Sequence, residues 1–246
     1  MLGWDAYRSA VDVSLPEDLK PARVVAAEHG VWTVMTERGP TRVGLSGGML
    51  QQACADPENA PYVGDWVLLR FWCDGRSTLE TVLPRRFGNV SESAHRVCSG
   101  PIAAANVDVA FVLVPFGAEQ PLASVVRRVQ VASQDAIPVV VLTKADLSDD
   151  PKEYASRVMN ALPEVEVVTC SVVDGRGTQV LREMVGHRTG ALLGAPGAGR
   201  SSLVEFLAGV PVLRHHRSDA CGCADPSAPR GALVPLPGGG CLITTN

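Results

Sequence analysis

No apolar stretch in this 246-residue sequence approaches the roughly 18 residues that a membrane-spanning helix requires. The opening MLGWDAYRSA lacks the basic region followed by an apolar core that marks a secretion signal. Positive charge is scarce as well. Lys and Arg total 22 against 26 Asp and Glu, for a net charge of -4 and a pI of about 5.7. No global positive field is available to hold nucleic acid or a membrane surface, so any RNA contact must be local and assisted by a partner. The seven cysteines are odd in number and lack small-scaffold spacing, which argues for reduced thiols over a disulfide framework. These absences lead to the expectation of a cytoplasmic protein with no membrane partner. What the chain has is a hydrophobic fraction of 46%, ample for one large or two modest buried cores.

Residues 22 to 86 read as short strands with turn punctuation: ARVVAAE, VWTVMTE, TRVGLS, DWVLLRFW and TLETVLPRR, separated by His29-Gly30, Arg38-Gly39-Pro40 and Asp74-Gly75. This pattern predicts a small antiparallel barrel of OB-like type within residues 1–86. Residues 87–106 lose periodicity and gather Ser, Gly and Ala, so they read as a linker. From Val107 continuous apolar runs follow one another: VDVAFVLVPF, IPVVVLT, VEVVTCSVV and TGALLG, each separated from the next by a helix-length segment. Buried parallel strands with crossover helices produce that alternation, which makes residues 107–246 an α/β domain. GALVPLPGGGCLITT reads as a hairpin closed by Pro237-Gly238-Gly239-Gly240.

Three segments carry the chemistry. Gly194-Ala195-Pro196-Gly197-Ala198-Gly199-Arg200-Ser201 has phosphate-loop spacing between the strand TGALLG and the helical run SSLVEFLAG. Such a loop needs glycine because backbone N–H groups must wrap closely around phosphate oxygens at a helix N-terminus, whose dipole favours the anion. Thr143-Lys144-Ala145-Asp146 reads as a guanine-reading loop, and Ser171-Val172-Val173-Asp174-Gly175 as the base-supporting loop after it. The Asp146 carboxylate can accept from guanine's ring N–H and exocyclic amine, which favours GTP or GDP over ATP. Lys144 would lay its stem along the base. A Gly-rich turn or a polar turn taken singly is often only structural; the three together argue for a nucleotide site. Their order is the informative part. In an ordinary P-loop GTPase the phosphate loop comes first, whereas here the base loops precede it, as circular permutation of the chain would produce.

The predicted nucleotide-contacting residues are Thr143, Lys144, Asp146, Ser171, Val172, Gly194, Ala195, Pro196, Gly197, Ala198, Gly199, Arg200, Ser201 and Ser202, with Ser201 as the magnesium-facing hydroxyl. Arg200 stands where the motif has lysine. Its longer planar guanidinium keeps the charge but not the placement of an ammonium, so turnover is expected to suffer more than binding. No catalytic residue is assigned.

The strings LGWD, YVGDWV, LPRR, AANVDVAFVLV, PVVVLTKADL and LVPLPGGGCLI, with the permuted phosphate loop, resemble the circularly permuted small-subunit-dependent GTPases of the RsgA/YjeQ family over nearly the whole chain. The resemblance implies an OB barrel, a permuted GTPase domain and a C-terminal zinc domain, with ribosome-stimulated GTP hydrolysis in late small-subunit maturation. The implied partners are the small ribosomal subunit and its rRNA, the cofactors GTP or GDP with Mg2+, and the chain is expected to be a monomer. The family's switch I threonines have no counterpart in Ser227-Ala228-Pro229-Arg230, and its Asp-Thr-Pro-Gly switch II stands where this sequence reads Thr244-Thr245-Asn246. Weak hydrolysis is therefore expected. A pseudo-GTPase interaction module and a truncated fragment of an active enzyme are the alternative readings. His215, His216, Cys221 and Cys223 are zinc-ligand types, but their spacing is tighter than that of structural zinc sites, and no zinc is expected there. Arg70, Arg76, Arg85 and Arg86 on or near the barrel are candidate rRNA contacts, with Arg85 and Arg86 the first choice.

Overall fold

The computed structural model describes residues 3–12, 15–28, 30–86, 104–117, 120–134, 136–210 and 231–244. His215, His216, Cys221, Cys223, the Ser227–Arg230 stretch, Thr245 and Asn246 lie outside the described residues, as does most of the 87–106 segment.

The N-terminal strands are β1 (Lys20–Glu28), β2 (Val31–Thr36), β3 (Gly39–Leu45), β4 (Trp66–Phe71) and β5 (Ser77–Val82). Their order is β2-β3-β5-β4-β1, and β1 pairs again with β2, so the sheet closes into a five-stranded barrel. Closure pairs most of the strand edges within the barrel itself. Ala22, Val24, Val34, Val43, Val67, Leu69 and Leu79 fill the interior. Each fully buried aliphatic side chain of this size contributes about 1.5–3 kcal/mol. Helix α2 (Gly47–Ala55) bridges β3 and β4; Ser46 caps it by accepting from the Met49 amide, and Met49 plugs the barrel. Helix α1 (Trp4–Ala10) lies outside the sequence expectation. Trp4 and Tyr7 pack against Trp66, with ring centroids 5.0 and 5.5 Å away, and the Tyr7 hydroxyl donates to the Pro84 carbonyl.

The second lobe holds β6 (Val109–Pro115), β7 (Ile137–Thr143), β8 (Glu166–Thr169) and β9 (Thr189–Gly194), all parallel in the order β9-β6-β7-β8. Both faces of β6 are covered, which is why its sequence is apolar without alternation. Ala110, Val112 and Val114 face the side where α3 (Leu122–Ala132) and α4 (Pro151–Ala161) pack. Phe111 and Leu113 face the side of α5 (Thr178–Val185) and α6 (Arg200–Ala208). The hairpin β10 (Ala232–Pro235) and β11 (Cys241–Thr244) forms as expected, with β11 parallel to β9. β10 then meets β1 at Ala26 and Ala232, so barrel and lobe share one eleven-stranded sheet. Ala104 and Ala105, inside the segment that reads as a linker, are fully buried, and Ala104 bridges to Val63.

Candidate functional site

Parallel strands place their carboxyl ends at one edge of the sheet, and ligand sites of open α/β sheets form there. Strand β7 ends at Thr143, β8 at Thr169 and β9 at Gly194, so the three loops read from sequence meet at this edge.

The phosphate loop is a tight arch. The Ala198 amide donates to the Ala195 carbonyl at 3.0 Å, Gly197 has φ 83°, and Gly199 has φ 94° as the residue that starts α6. Gly194 is closely packed: a Cβ there would lie 3.1 Å from both the Ala198 Cβ and the Leu113 Cβ, which would have to yield to admit it. Ala198 is buried beneath the arch, Pro196, Gly197, Ser201 and Ser202 are exposed, and Ala195 and Arg200 are half-buried. A Cβ on Gly197 would touch nothing within 4 Å, so the crest of the loop is uncrowded there. At the far end of α6 the Arg182 guanidinium donates to the Phe206 and Leu207 carbonyls, supplying the positive charge that a helix C-terminus favours. No local pattern in the sequence announces that contact, because 24 residues separate Arg182 from Phe206.

The base loops are tied to this arch. The Thr143 hydroxyl donates to the Ala198 carbonyl at 2.7 Å. Lys144 follows in the left-handed region at φ 58°, an uncommon conformation outside glycine, with its side chain exposed. Asp146 is also exposed, and its Oδ1 accepts from the Ser171 hydroxyl at 2.6 Å, joining the two base loops side chain to side chain. Ser171 Oγ in turn accepts from the Val173 amide. Val172 is half-buried beside them. The loop closes on Asp174, which takes the Arg176 amide and guanidinium, and on Gly177, where a Cβ would stand 2.2 Å from the Thr169 carbonyl. Between the loops sits Cys170, absent from the sequence reading. Its carbonyl accepts from the Ala145 amide, and burial, with a smaller contribution from Asp174, pushes its thiol up to about 11.

The barrel arginines differ in what they contact. Arg85 lies inside the fold: Nε and Nη2 grip the fully buried Asp65 at 2.9 and 2.8 Å, and Nη1 and Nη2 also cap the Glu58 and Ala60 carbonyls. Four hydrogen bonds of its guanidinium serve the fold, which makes it a poorer candidate for RNA contact than the sequence suggests. The Arg86 amide donates to Asn106 Oδ1. Arg70 pairs with Asp18, and Arg76 with Asp74 across the β4–β5 turn. Among the described residues no group of three or more His, Cys, Asp or Glu is placed to hold a metal ion, and no helix is long and apolar enough to cross a membrane.

A phosphate-loop arch after β9, with base loops on strands that come earlier in the chain, defines a circularly permuted P-loop GTPase fold behind an OB-like barrel. The model of the RsgA GTPase family matches residues 84–245. A relative from Streptomyces coelicolor, "Small ribosomal subunit biogenesis GTPase RsgA", is 36% identical over 249 residues, covering 99% of this chain and 67% of its own length. The chain therefore belongs to the RsgA GTPase family. It spans about two thirds of the length of the curated relatives it matches. Among solved structures, YjeQ from Thermotoga maritima superposes with a TM-score of 0.66 at 21% identity, over 93% of this chain and 75% of that one. YloQ, titled a circularly permuted GTPase, gives a TM-score of 0.57 at 17% identity over 94% of this chain and 73% of that one.

Proposed function

We propose that the chain binds GDP or GTP at the edge where β7, β8 and β9 end, and that it serves maturation of the small ribosomal subunit in the cytoplasm with weak hydrolysis. The observation that carries the nucleotide reading is the Asp146–Ser171 hydrogen bond beside the Thr143–Ala198 strap. A carboxylate held at a loop junction, a strapped phosphate arch and an open glycine crest are the parts a guanine nucleotide needs. Backbone N–H groups within the Gly197–Ser202 turn would take the phosphates at the N-terminus of α6, whose dipole favours the anion. Asp146 would accept from the guanine edge, Lys144 would cover its face, and Ser171 with the Val172 backbone would support its oxygen.

Mg2+ fits this donor set: Ser201 offers an exposed hydroxyl on the first turn of α6, and Mg2+ is commonly held by one or two protein oxygens with phosphates and waters. When bound, the ion neutralises charge that develops on the phosphates. Arg200 presents a planar fork where a point charge is usual. Because phosphoryl transfer depends almost wholly on positioning and charge placement, this exchange slows turnover while retaining affinity. Single-turnover hydrolysis should be slow, and Arg200→Lys should raise it without changing GDP affinity more than a few-fold.

The ribosomal reading rests on the family and on the barrel, a fold that binds oligonucleotides through a strand face and its loops. Small-subunit cosedimentation across a salt series tests it. Binding should fall as salt rises, because phosphate contacts release counterions. Arg86, which is exposed, and Arg70 and Arg76 are the residues to replace. No cosedimentation at low salt would favour an interaction module without ribosomal attachment.

A further inference from the structure

Barrel and lobe meet at a buried guanidinium. Arg23, on β1, is 3% exposed. On the barrel side its Nε donates to the Gly64 carbonyl at 3.2 Å, and its guanidinium lies 5.3 Å from the Trp66 ring centroid. On the lobe side Nη2 donates to Thr189 Oγ1 at 2.7 Å and Nη1 to Cys241 Sγ at 3.4 Å. Thr189 and Cys241 are the first residues of β9 and β11 and face each other in register. Strand β9 ends in the phosphate loop about 17 Å further along, at the usual rise per strand residue. The Thr189 amide is fixed in turn to Asp108 Oδ2, just before β6.

The junction has no slack. Gly64 has φ 98°, and a Cβ there would stand 2.2 Å from the Ala105 carbonyl and 2.8 Å from Ile243 Cδ1. Domains that move independently are usually joined by exposed, polar linkers with few crossing contacts. Here the crossing is buried and close-packed, and packed interiors pass on a displacement instead of absorbing it.

We infer that Arg23 is a coupling strut: nucleotide in the loops alters the neck of the barrel, and whatever engages the barrel alters nucleotide affinity in return. This rests on the nucleotide site proposed above. Reciprocity follows from linkage, with typical coupling factors of about 5 to 150. Arg23 is remote from the reacting atoms, so it positions β9 and β11 and does not act on the nucleotide itself.

Hydrogen exchange on the full chain, with and without saturating GDP and Mg2+, tests the inference. The neck is reported by the amides of Val24, Gly64 and Ala105, and the loop by those of Ala198 and Leu203. In the wild type GDP should slow exchange in both groups, with the neck slowed by about five-fold or more. In Arg23→Met the loop should still respond and the neck should not. Should Arg23→Met fail to fold, the near-isosteric Thr189→Val removes one arm of the strut and should at least halve the neck response. A neck response unchanged in the variants, or a silent neck beside a responding loop in the wild type, overturns the inference. A loop that ignores GDP in the wild type instead overturns the nucleotide reading, and the coupling with it.

Discussion

The Thr143 hydroxyl donates to the Ala198 carbonyl across 55 residues of sequence, and both residues are buried. The bond runs from the end of β7 to the underside of the phosphate loop, so the part that would read a base and the part that would hold phosphates share one atom-to-atom link.

Replacing Thr143 by Val keeps the shape but leaves the Ala198 carbonyl without its donor. Leaving a buried acceptor unsatisfied costs about 1–3 kcal/mol. The urea midpoint should fall accordingly, and calorimetry should show GDP affinity reduced by about ten-fold, the factor that corresponds to ~1.4 kcal/mol. Thr143→Ser, which restores the donor, should recover most of both losses.

Arg85→Ala should lower stability by about 3–5 kcal/mol, because it strands the buried Asp65 carboxylate without its partner. Replacing both members by an apolar pair of similar volume should cost far less. Arg76→Ala, at an exposed surface pair, should shift the thermal midpoint very little. Thermal melts of these variants separate the structural arginine from the surface one.

Much of this architecture is legible in the sequence. IPVVVLT and TGALLG become β7 and β9 because strands buried on both faces are written as unbroken apolar runs. The tight turns are legible too, since Gly and Asp-Gly mark backbone that other residues avoid. Helix α1 is not legible: seven residues are too few for a helical period to show, and its stability comes from Trp4 and Tyr7 meeting Trp66 more than fifty residues later. Arg85 misleads for the same reason. A basic pair reads as surface charge until the buried Asp65 is seen beside it. Ser171 is visible as a loop residue, but its bond to Asp146 exists only in the fold.

Cys170 should be inert to alkylating reagents in the native protein at neutral pH, since its thiol is buried and held protonated, whereas the exposed Cys54 and Cys73 should react. Its titration also carries a sign. The thiol is raised from an ordinary 9.0 to about 11 on folding, so the stability linked to its protonated form is complete below pH 9 and declines as pH rises through 11. Thermal midpoints between those limits should fall less in Cys170→Ala than in the wild type.

Calorimetric titration of GDP, ATP and xanthosine diphosphate into the wild type and Asp146→Asn tests the central claim most directly. The account predicts that the wild type binds GDP well ahead of ATP. Asp146→Asn should lose GDP affinity while losing less for the xanthine nucleotide, because the amide places a donor where guanine also has donors. Equal affinity for GDP and ATP, or no binding of either, would contradict it.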